Sequence, residues 1–138
     1  MSEGKVSARL AELGLTLHGP HPPHDPLDAV VIHDGTARTS GQLPRIDGKL
    51  TCLGRLGETV TLEAALGSLD RVERVLTVTG FVSSAPDFFD QPAVVDGASQ
   101  VLVDVFGESG RHTRSAIGVA ALPRNGAVEI EVTVSLKS

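Results

Sequence analysis

The chain has 138 residues, with 12 lysines or arginines against 17 aspartates or glutamates, so its net charge is -5. This length fits one domain, and a hydrophobic fraction of 41% argues against a disordered chain. The negative charge opposes a phosphate backbone, and four Phe without Trp or Tyr offer few rings for stacking bases, so we expect no nucleic-acid partner.

Residues 1–26 are predicted to form an N-terminal helix and a connector. Val6, Leu10 and Leu13 recur at spacings of three and four residues, which predicts a short amphipathic helix that ends near Gly14. The connector that follows is rich in proline, which disfavours both helix and central strand.

His18, His21 and His24 lie within this connector and raise the alternative of a metal site. A chain stiffened by proline does not readily fold three imidazoles around one ion, and no cysteine lies nearby to complete the ligand set. We therefore expect no metal and take these histidines to be exposed to solvent.

The first 17 residues contain charged side chains and no apolar stretch long enough for a signal peptide or a membrane span. A single cysteine, Cys52, excludes an internal disulfide and is compatible with a reducing compartment. These features predict a cytoplasmic protein without a membrane partner.

The next part of the chain predicts strands. Val30 to His33 and Thr36 to Thr39 flank Asp34-Gly35, a pair that tolerates the positive φ angles of a tight turn, so a hairpin is expected. Residues 40–44 form a polar loop, and residues 49–53 return as a strand after a second turn.

Three elements are predicted in the middle of the chain. A helix from Leu62 to Ser68 would be unusually short, and the β-branched run from Arg74 to Val82 predicts a strand buried on both faces. Apolar residues between Pro92 and Phe106 fall on one helical stripe, with Asp90 as the N-cap and Gly107 as the terminator.

Two strands, 114–121 and 128–136, close the chain, and residues 123–126 between them predict a hairpin turn. The fold class is therefore α+β, with a mixed β-sheet covered on one face by two helices. Alternating aliphatic residues on the other face would need a cover, which predicts association with further copies of the chain.

Five short segments, spread between Leu27 and Val134, together resemble the RidA family, also called the YjgF family. They are Ser40-Gly41-Gln42-Leu43-Pro44, Val78-Thr79-Gly80-Phe81-Val82, Asp87-Phe88, Arg114-Ser115 and Val128-Glu129-Ile130-Glu131. The resemblance identifies residues 27–138 as a RidA-like domain. It implies a chorismate-mutase-like homotrimer with sites in the clefts between subunits and no cofactor.

The resemblance also assigns site residues. Hydrolysis of an imine derived from an amino acid needs a cation for the carboxylate of the substrate, and the guanidinium of Arg114 suits this task. Glu129 matches the acid that positions water in the family, and Glu131 lies on the same strand face. Ser40, Gly41 and Gln42 would line the cleft, with Phe88 or Phe89 as an apolar wall.

Each assignment has a plainer alternative. Arg114 could form a surface ion pair, and Glu129 and Glu131 could lie on the solvated face of an edge strand. Phe88 could belong to the core. A serine triad built from His112 and Ser115 is not supported, because nothing in the sequence fixes an oxyanion hole.

Three positions depart from the family pattern. Val30 replaces an aromatic residue on the first strand, Ala116 stands where some relatives carry cysteine, and the 62–68 segment is too short for the usual crossover helix. The expected function is an imine/enamine deaminase that converts 2-aminoacrylate-type intermediates into a 2-oxo acid and ammonia. A noncatalytic trimer that binds a small metabolite is the main alternative, and a ribonuclease is the least favoured.

Overall fold

The computed structural model describes residues 5–13, 26–43, 45–46, 49–50 and 68–138. Outside these ranges lie residues 62–67 of the predicted short helix, the connector histidines, Cys52 and the turn at 47–48. The described elements are α1 (Lys5–Glu12), β1 (Val30–His33), β2 (Thr36–Thr39), β3 (Arg45–Ile46), β4 (Lys49–Leu50), β5 (Val72–Ser83), α2 (Gln91–Phe106), β6 (Thr113–Val119) and β7 (Val128–Leu136). The α+β class is confirmed.

The main sheet has the strand order β1-β2-β7-β5-β6, while β3 and β4 form a separate two-stranded hairpin. Among the strands in the described ranges, only β5 and β6 run parallel, and α2 makes the crossover between them. The other neighbours in the main sheet pair in the antiparallel sense. The sheet is therefore mixed, as the sequence predicts.

The hairpin between the last two strands was a wrong prediction. A 3₁₀ turn, Pro123–Asn125, does reverse the chain, and Arg124 and Asn125 both have positive φ angles. However, β7 pairs with β2 and β5, so β5 lies between β6 and β7. Turn residues indicate where the chain changes direction, but they do not determine which strand becomes the neighbour.

The first predicted hairpin is confirmed. Val30 pairs with Thr39 and His33 pairs with Thr36, which leaves Asp34 and Gly35 as the two turn residues. Their φ angles are 49° and 73°, the positive values that a type I′ turn requires.

Helix α2 packs on one face of the sheet through its buried residues Val95, Ala98, Leu102 and Val105. The predicted apolar stripe was one residue too wide, because Val94 is 43% exposed. Asp90 is the N-cap residue, as predicted, although its side chain makes no capping hydrogen bond. Gly107 has a φ of 64° directly after the helix, which confirms its role as terminator.

Helix α1 belongs to the same core as the sheet. Val6 and Leu10 are buried in the cluster that contains the β5 and β7 valines. The amide of Val6 donates a 2.7 Å hydrogen bond to Oδ1 of Asp70, and Nε of Arg9 donates to the carbonyl of Asp104 at 2.8 Å. The N-terminal helix is therefore a structural part of the domain.

The face of the sheet away from α2 is mainly polar, contrary to the sequence prediction. Strand pairing places the following residues on it: Thr77, Thr79 and Phe81 of β5, Ser115 and Ile117 of β6, and Glu129, Glu131 and Thr133 of β7. All four aliphatic residues of β7 between Val128 and Val134 point instead to the helix side, where they are buried. Consequently β5 is buried on one face only.

Neither helix in the described ranges has the length and the apolar stretch needed to span a membrane. The same ranges contain no group of three or more His, Cys, Asp or Glu side chains that could hold a metal ion.

Candidate functional site

The polar loop after β2 lies directly against β7. The amide of Gln42 donates to the carbonyl of Ile130 at 2.8 Å, and the amide of Ile130 donates back to the carbonyl of Gln42 at 2.9 Å. This bridge brings Gly41 against the side chain of Glu129. A Cβ atom at position 41 would lie 2.5 Å from Oε2 and 2.8 Å from Cδ of Glu129, so only glycine leaves room for the carboxylate.

Ser40 and Gln42 use polar groups to hold this loop in place. The hydroxyl of Ser40 donates to the carbonyl of Asp28 at 2.7 Å, and its amide donates to the carbonyl of Ala29 at 2.8 Å. The side-chain amide of Gln42 donates to the carbonyl of Ser40 at 3.3 Å. The predicted cleft loop is thus tied both to the segment before β1 and to β7.

The aromatic residue beside Glu129 is Phe81, which the sequence did not assign to the site. Phe81 pairs directly with Glu129 of β7 on one side and with Ile117 of β6 on the other. Directly opposite residues have Cβ atoms about 4.5–5.5 Å apart, so the three side chains form a row on the polar face. The period-two alternation of β5 and β7 predicts that Phe81 and Glu129 each lie on the polar face, but their contact follows from the strand order.

Phe88, the predicted apolar wall, lies in the loop before α2. Its amide donates to the carbonyl of Ala85, and its own carbonyl accepts a 2.9 Å hydrogen bond from the side chain of Gln91. Its side chain is 38% exposed, and Phe89 is 82% exposed, so neither ring is buried in the core of this chain.

Glu131 lies on the same face as Glu129, as predicted. Its side chain is 29% exposed, and its Oε1 is 3.9 Å from Nη2 of Arg38, a long contact with a largely exposed arginine that contributes little stability. Because β7 lies between β2 and β5, the alternative of an edge strand is wrong. Both carboxylates are held on the central part of the sheet.

Arg114 of β6 is held by helix α2. Its Nη1 donates to Oδ1 of Asp96 at 2.8 Å and to Oγ of Ser99 at 3.1 Å, while Nη2 makes a 3.4 Å contact with the carbonyl of Pro92. The side chain of Arg114 is 21% exposed, whereas that of Asp96 is 68% exposed. The ion pair therefore lies at the rim of the domain, where the guanidinium remains partly open to solvent.

The structure does not bring Arg114 and Glu129 together within one chain. Arg114 pairs with Val78 of β5, whereas Glu129 pairs with Phe81, an odd number of residues further along the same strand. Their side chains therefore leave opposite faces of the sheet. Their Cα atoms lie two strands apart across the sheet and three residues apart along the strands, which corresponds to a separation of roughly 14 Å.

Ser99 and His112 also belong to the surroundings of Arg114, and the sequence assigned neither of them. Oγ of Ser99 lies 2.9 Å from Nε2 of His112, and Nδ1 of His112 lies 2.5 Å from the carbonyl of Gly110. Ser115, three residues after His112 in the sequence, lies on the face of the sheet opposite to Arg114. In the sequence, these contacts were indicated only by the polar residues Asp96 and Ser99, which directly follow the apolar Val95 and Ala98 of the helix.

The sequence profile of the family described as Endoribonuclease L-PSP matches residues 20–136. Protein TCP17 of Trypanosoma cruzi is 37% identical in an alignment that covers all of this chain and 98% of that protein. The alignment extends over 157 residues, 19 more than this chain contains. The relative therefore has residues that have no counterpart in this chain.

The fold is shared with solved structures. Atu1372 of Agrobacterium tumefaciens, a protein of unknown function, is 34% identical with a TM-score of 0.85, over 96% of this chain and 93% of that one. TdcF of E. coli, solved with bound serine, is 23% identical with a TM-score of 0.65, over 89% of this chain and 96% of that one, and shows the fold alone. The chain belongs to the Endoribonuclease L-PSP family, which is the RidA family that its sequence motifs indicated.

Proposed function

We propose that the protein is an imine/enamine deaminase that hydrolyses small 2-imino acids, with Arg114 and Glu129 as the catalytic residues. The observation that carries the proposal is the close approach of Gly41 to Glu129, because it leaves the carboxylate beside a loop with backbone polar groups. A carboxylate in that position is suited to orient a water molecule. Phe81 and Ile117 would supply the apolar surface next to it.

The proposed site is built from two copies of the chain. Arg114 and Glu129 leave opposite faces of the sheet in one copy, so a substrate small enough to be an amino-acid imine cannot touch both in the same subunit. In the described part of the chain β6 is an edge strand, which places Arg114 where a second copy can approach. A homotrimer with three equivalent clefts fits this requirement, because cyclic symmetry repeats one contact three times.

In the proposed reaction the guanidinium of Arg114 binds the carboxylate of the substrate, and Glu129 accepts a proton from water as the water oxygen attacks the carbon of the protonated imine. The tetrahedral intermediate carries a hydroxyl and an amine on the same carbon. Glu129 then returns its proton to the amine nitrogen, and the carbon–nitrogen bond breaks as ammonia leaves. The proton of the hydroxyl passes to Glu129 as the carbonyl of the 2-oxo acid forms. No step requires a metal or a cofactor.

One comparison supports a small carboxylate ligand. The solved structure of TdcF, which shares the fold, carries bound serine. Serine has the carboxylate and the nitrogen that an amino-acid imine also presents. The proposal includes a cytoplasmic location, where such intermediates of amino-acid metabolism arise and where a lone cysteine stays reduced.

The test is an assay that follows the loss of freshly generated 2-aminoacrylate. Arg114→Ala should abolish enzyme-dependent loss, and Arg114→Lys should keep a small fraction, since a point charge does not reproduce two parallel hydrogen bonds. Arg111→Ala is the matched control, because Arg111 is an exposed arginine three residues away that has no role in the proposal. Activity of Arg114→Ala equal to the wild type, in a folded oligomer, would refute the site.

A noncatalytic metabolite-binding protein is the second candidate. It is favoured by the ion pair between Arg114 and Asp96, since a carboxylate of the protein already occupies part of the guanidinium, and by Val30 in place of an aromatic residue. This candidate predicts that 2-oxo acids bind without any turnover of 2-aminoacrylate. A ribonuclease, the activity in the family description, agrees poorly with a net charge of -5 and only four aromatic residues.

A further inference from the structure

A chain of three hydrogen bonds runs from Arg114 to the backbone of the turn before β6. Nη1 of Arg114 donates to Oγ of Ser99 at 3.1 Å, Oγ of Ser99 lies 2.9 Å from Nε2 of His112, and Nδ1 of His112 lies 2.5 Å from the carbonyl of Gly110. The chain connects the middle of α2 with the start of β6 through side chains that are partly buried.

The direction of each hydrogen bond follows from the chemistry of the two ends. The carbonyl of Gly110 can only accept, so Nδ1 of His112 carries the hydrogen. In a neutral imidazole Nε2 is then an acceptor, and the hydroxyl of Ser99 donates to it. This orientation turns the lone pairs of the serine oxygen toward Arg114, where they accept from Nη1.

Asp96 lies three residues before Ser99 on the same helix and binds the same nitrogen of Arg114. Nη1 carries two hydrogens, so one reaches Asp96 and the other reaches Ser99. Nη2 makes only the 3.4 Å contact with Pro92, and Nε makes no hydrogen bond within the described residues. The N–H groups of Nε and Nη2, on one edge of the guanidinium, are thus the donors that remain available to a ligand.

We propose that Ser99 and His112 are positioning residues that fix the guanidinium of Arg114 so that its Nε–Nη2 edge binds the carboxylate of the substrate. A bidentate arginine–carboxylate pair needs both donors in one plane with the ligand, and a long side chain rarely keeps such a plane without support. Holding Nη1 at two points fixes the plane. This inference rests on the proposed function, because it concerns the same carboxylate.

The experiment compares Ser99→Ala and His112→Phe with the wild type on two substrates, 2-aminoacrylate and its carboxamide analogue. With the carboxylate substrate both variants should raise KM about three- to tenfold, the effect of one lost hydrogen bond, and change kcat less than twofold. With the carboxamide the variants should match the wild type, because no carboxylate is bound. Ser99→Thr keeps the hydroxyl and should restore most of the affinity.

Two further measurements separate the outcomes. Each variant should unfold at the temperature of the wild type within a few degrees, and the Ser99→Ala/His112→Phe double variant should be no worse than either single variant, since both break one chain. If the KM for the carboxylate is unchanged, or rises equally for both substrates, the positioning role is wrong. If, in addition, Arg114→Ala retains full activity, the proposed function is wrong as well. If Arg114→Ala loses activity while the Ser99 and His112 variants behave like the wild type, only the positioning role is wrong and the proposed function stands.

Discussion

Gly41 and Glu129 approach each other so closely that a single methyl group could not fit between them. The nearest atom to a Cβ at position 41 is Oε2 of Glu129, followed by Cδ and then Cγ at 3.1 Å. The atoms that would have to move therefore belong to a flexible side chain and not to the backbone. A substitution at Gly41 should displace the carboxylate while leaving the fold intact.

We predict that Gly41→Ala lowers the turnover of 2-aminoacrylate more than tenfold and changes the free energy of unfolding by less than about 1 kcal/mol. Gly97→Ala is the matched control, because a Cβ at that position on α2 meets nothing within 4 Å. This control should stabilise the helix by about 0.5–1 kcal/mol and leave turnover unchanged. Steady-state kinetics and urea unfolding measure the two effects. Unaltered turnover in Gly41→Ala would contradict the role of Glu129.

Glu129→Gln should slow turnover by at least a hundredfold while 2-oxo acids still bind, since an amide can hydrogen-bond water but cannot accept its proton. Isothermal titration with pyruvate and the 2-aminoacrylate assay measure the two quantities. Glu131→Gln, on the same strand and face, tests whether the effect is specific to position 129. A small loss of turnover in Glu129→Gln together with a large loss in Glu131→Gln would mean that Glu131, and not Glu129, accepts the proton from water.

Mixed oligomers test whether two copies build each site. Arg114→Ala and Glu129→Gln subunits should each be inactive, but unfolding and refolding them together at equal amounts should restore activity. In a cyclic trimer with random mixing, about a quarter of the clefts would combine an intact Arg114 with an intact Glu129. Light scattering should report three copies per particle. A monomer at micromolar concentration, or mixed oligomers without activity, would rule out the shared cleft.

Gly80→Ala should destabilise the fold by about 1–3 kcal/mol. A Cβ at this position of β5 would lie 2.6 Å and 2.7 Å from the two Cγ atoms of Val95 on α2, which is fully buried and cannot swing away. Urea unfolding should detect the loss, and Val95→Ala in the same chain should recover part of it by removing the clash. Full stability of the single variant would mean that α2 is not packed as described.

Asp70→Ala should also destabilise the protein, because the amide of Val6 in the first turn of α1 loses its buried acceptor. An unsatisfied buried donor costs about 1–3 kcal/mol. Asp70→Asn keeps an oxygen and should lose less. Asp87→Ala, at an exposed aspartate in the loop before α2, is the control and should unfold like the wild type.

The sequence by itself determined the elements whose signals are local. The type I′ turn follows from Asp34 and Gly35, which accept positive φ angles, and α2 follows from one apolar stripe that ends at a glycine. Short motifs identified the family and predicted that the loop at 40–42 and Glu129 share a site. The turn and the helix need only the conformational preferences of a few neighbouring residues, whereas the shared site was implied by the resemblance to the family.

Only the tertiary structure decided what depends on which strands are neighbours. The hairpin between β6 and β7 was a wrong prediction because β5 pairs with both of them, and the same arrangement turns the β7 aliphatics to the helix side and leaves a polar face. It also puts Arg114 and Glu129 on opposite faces and brings Ser99 of α2 to Arg114. Strand order arises from packing between distant segments, which no local pattern in the chain records.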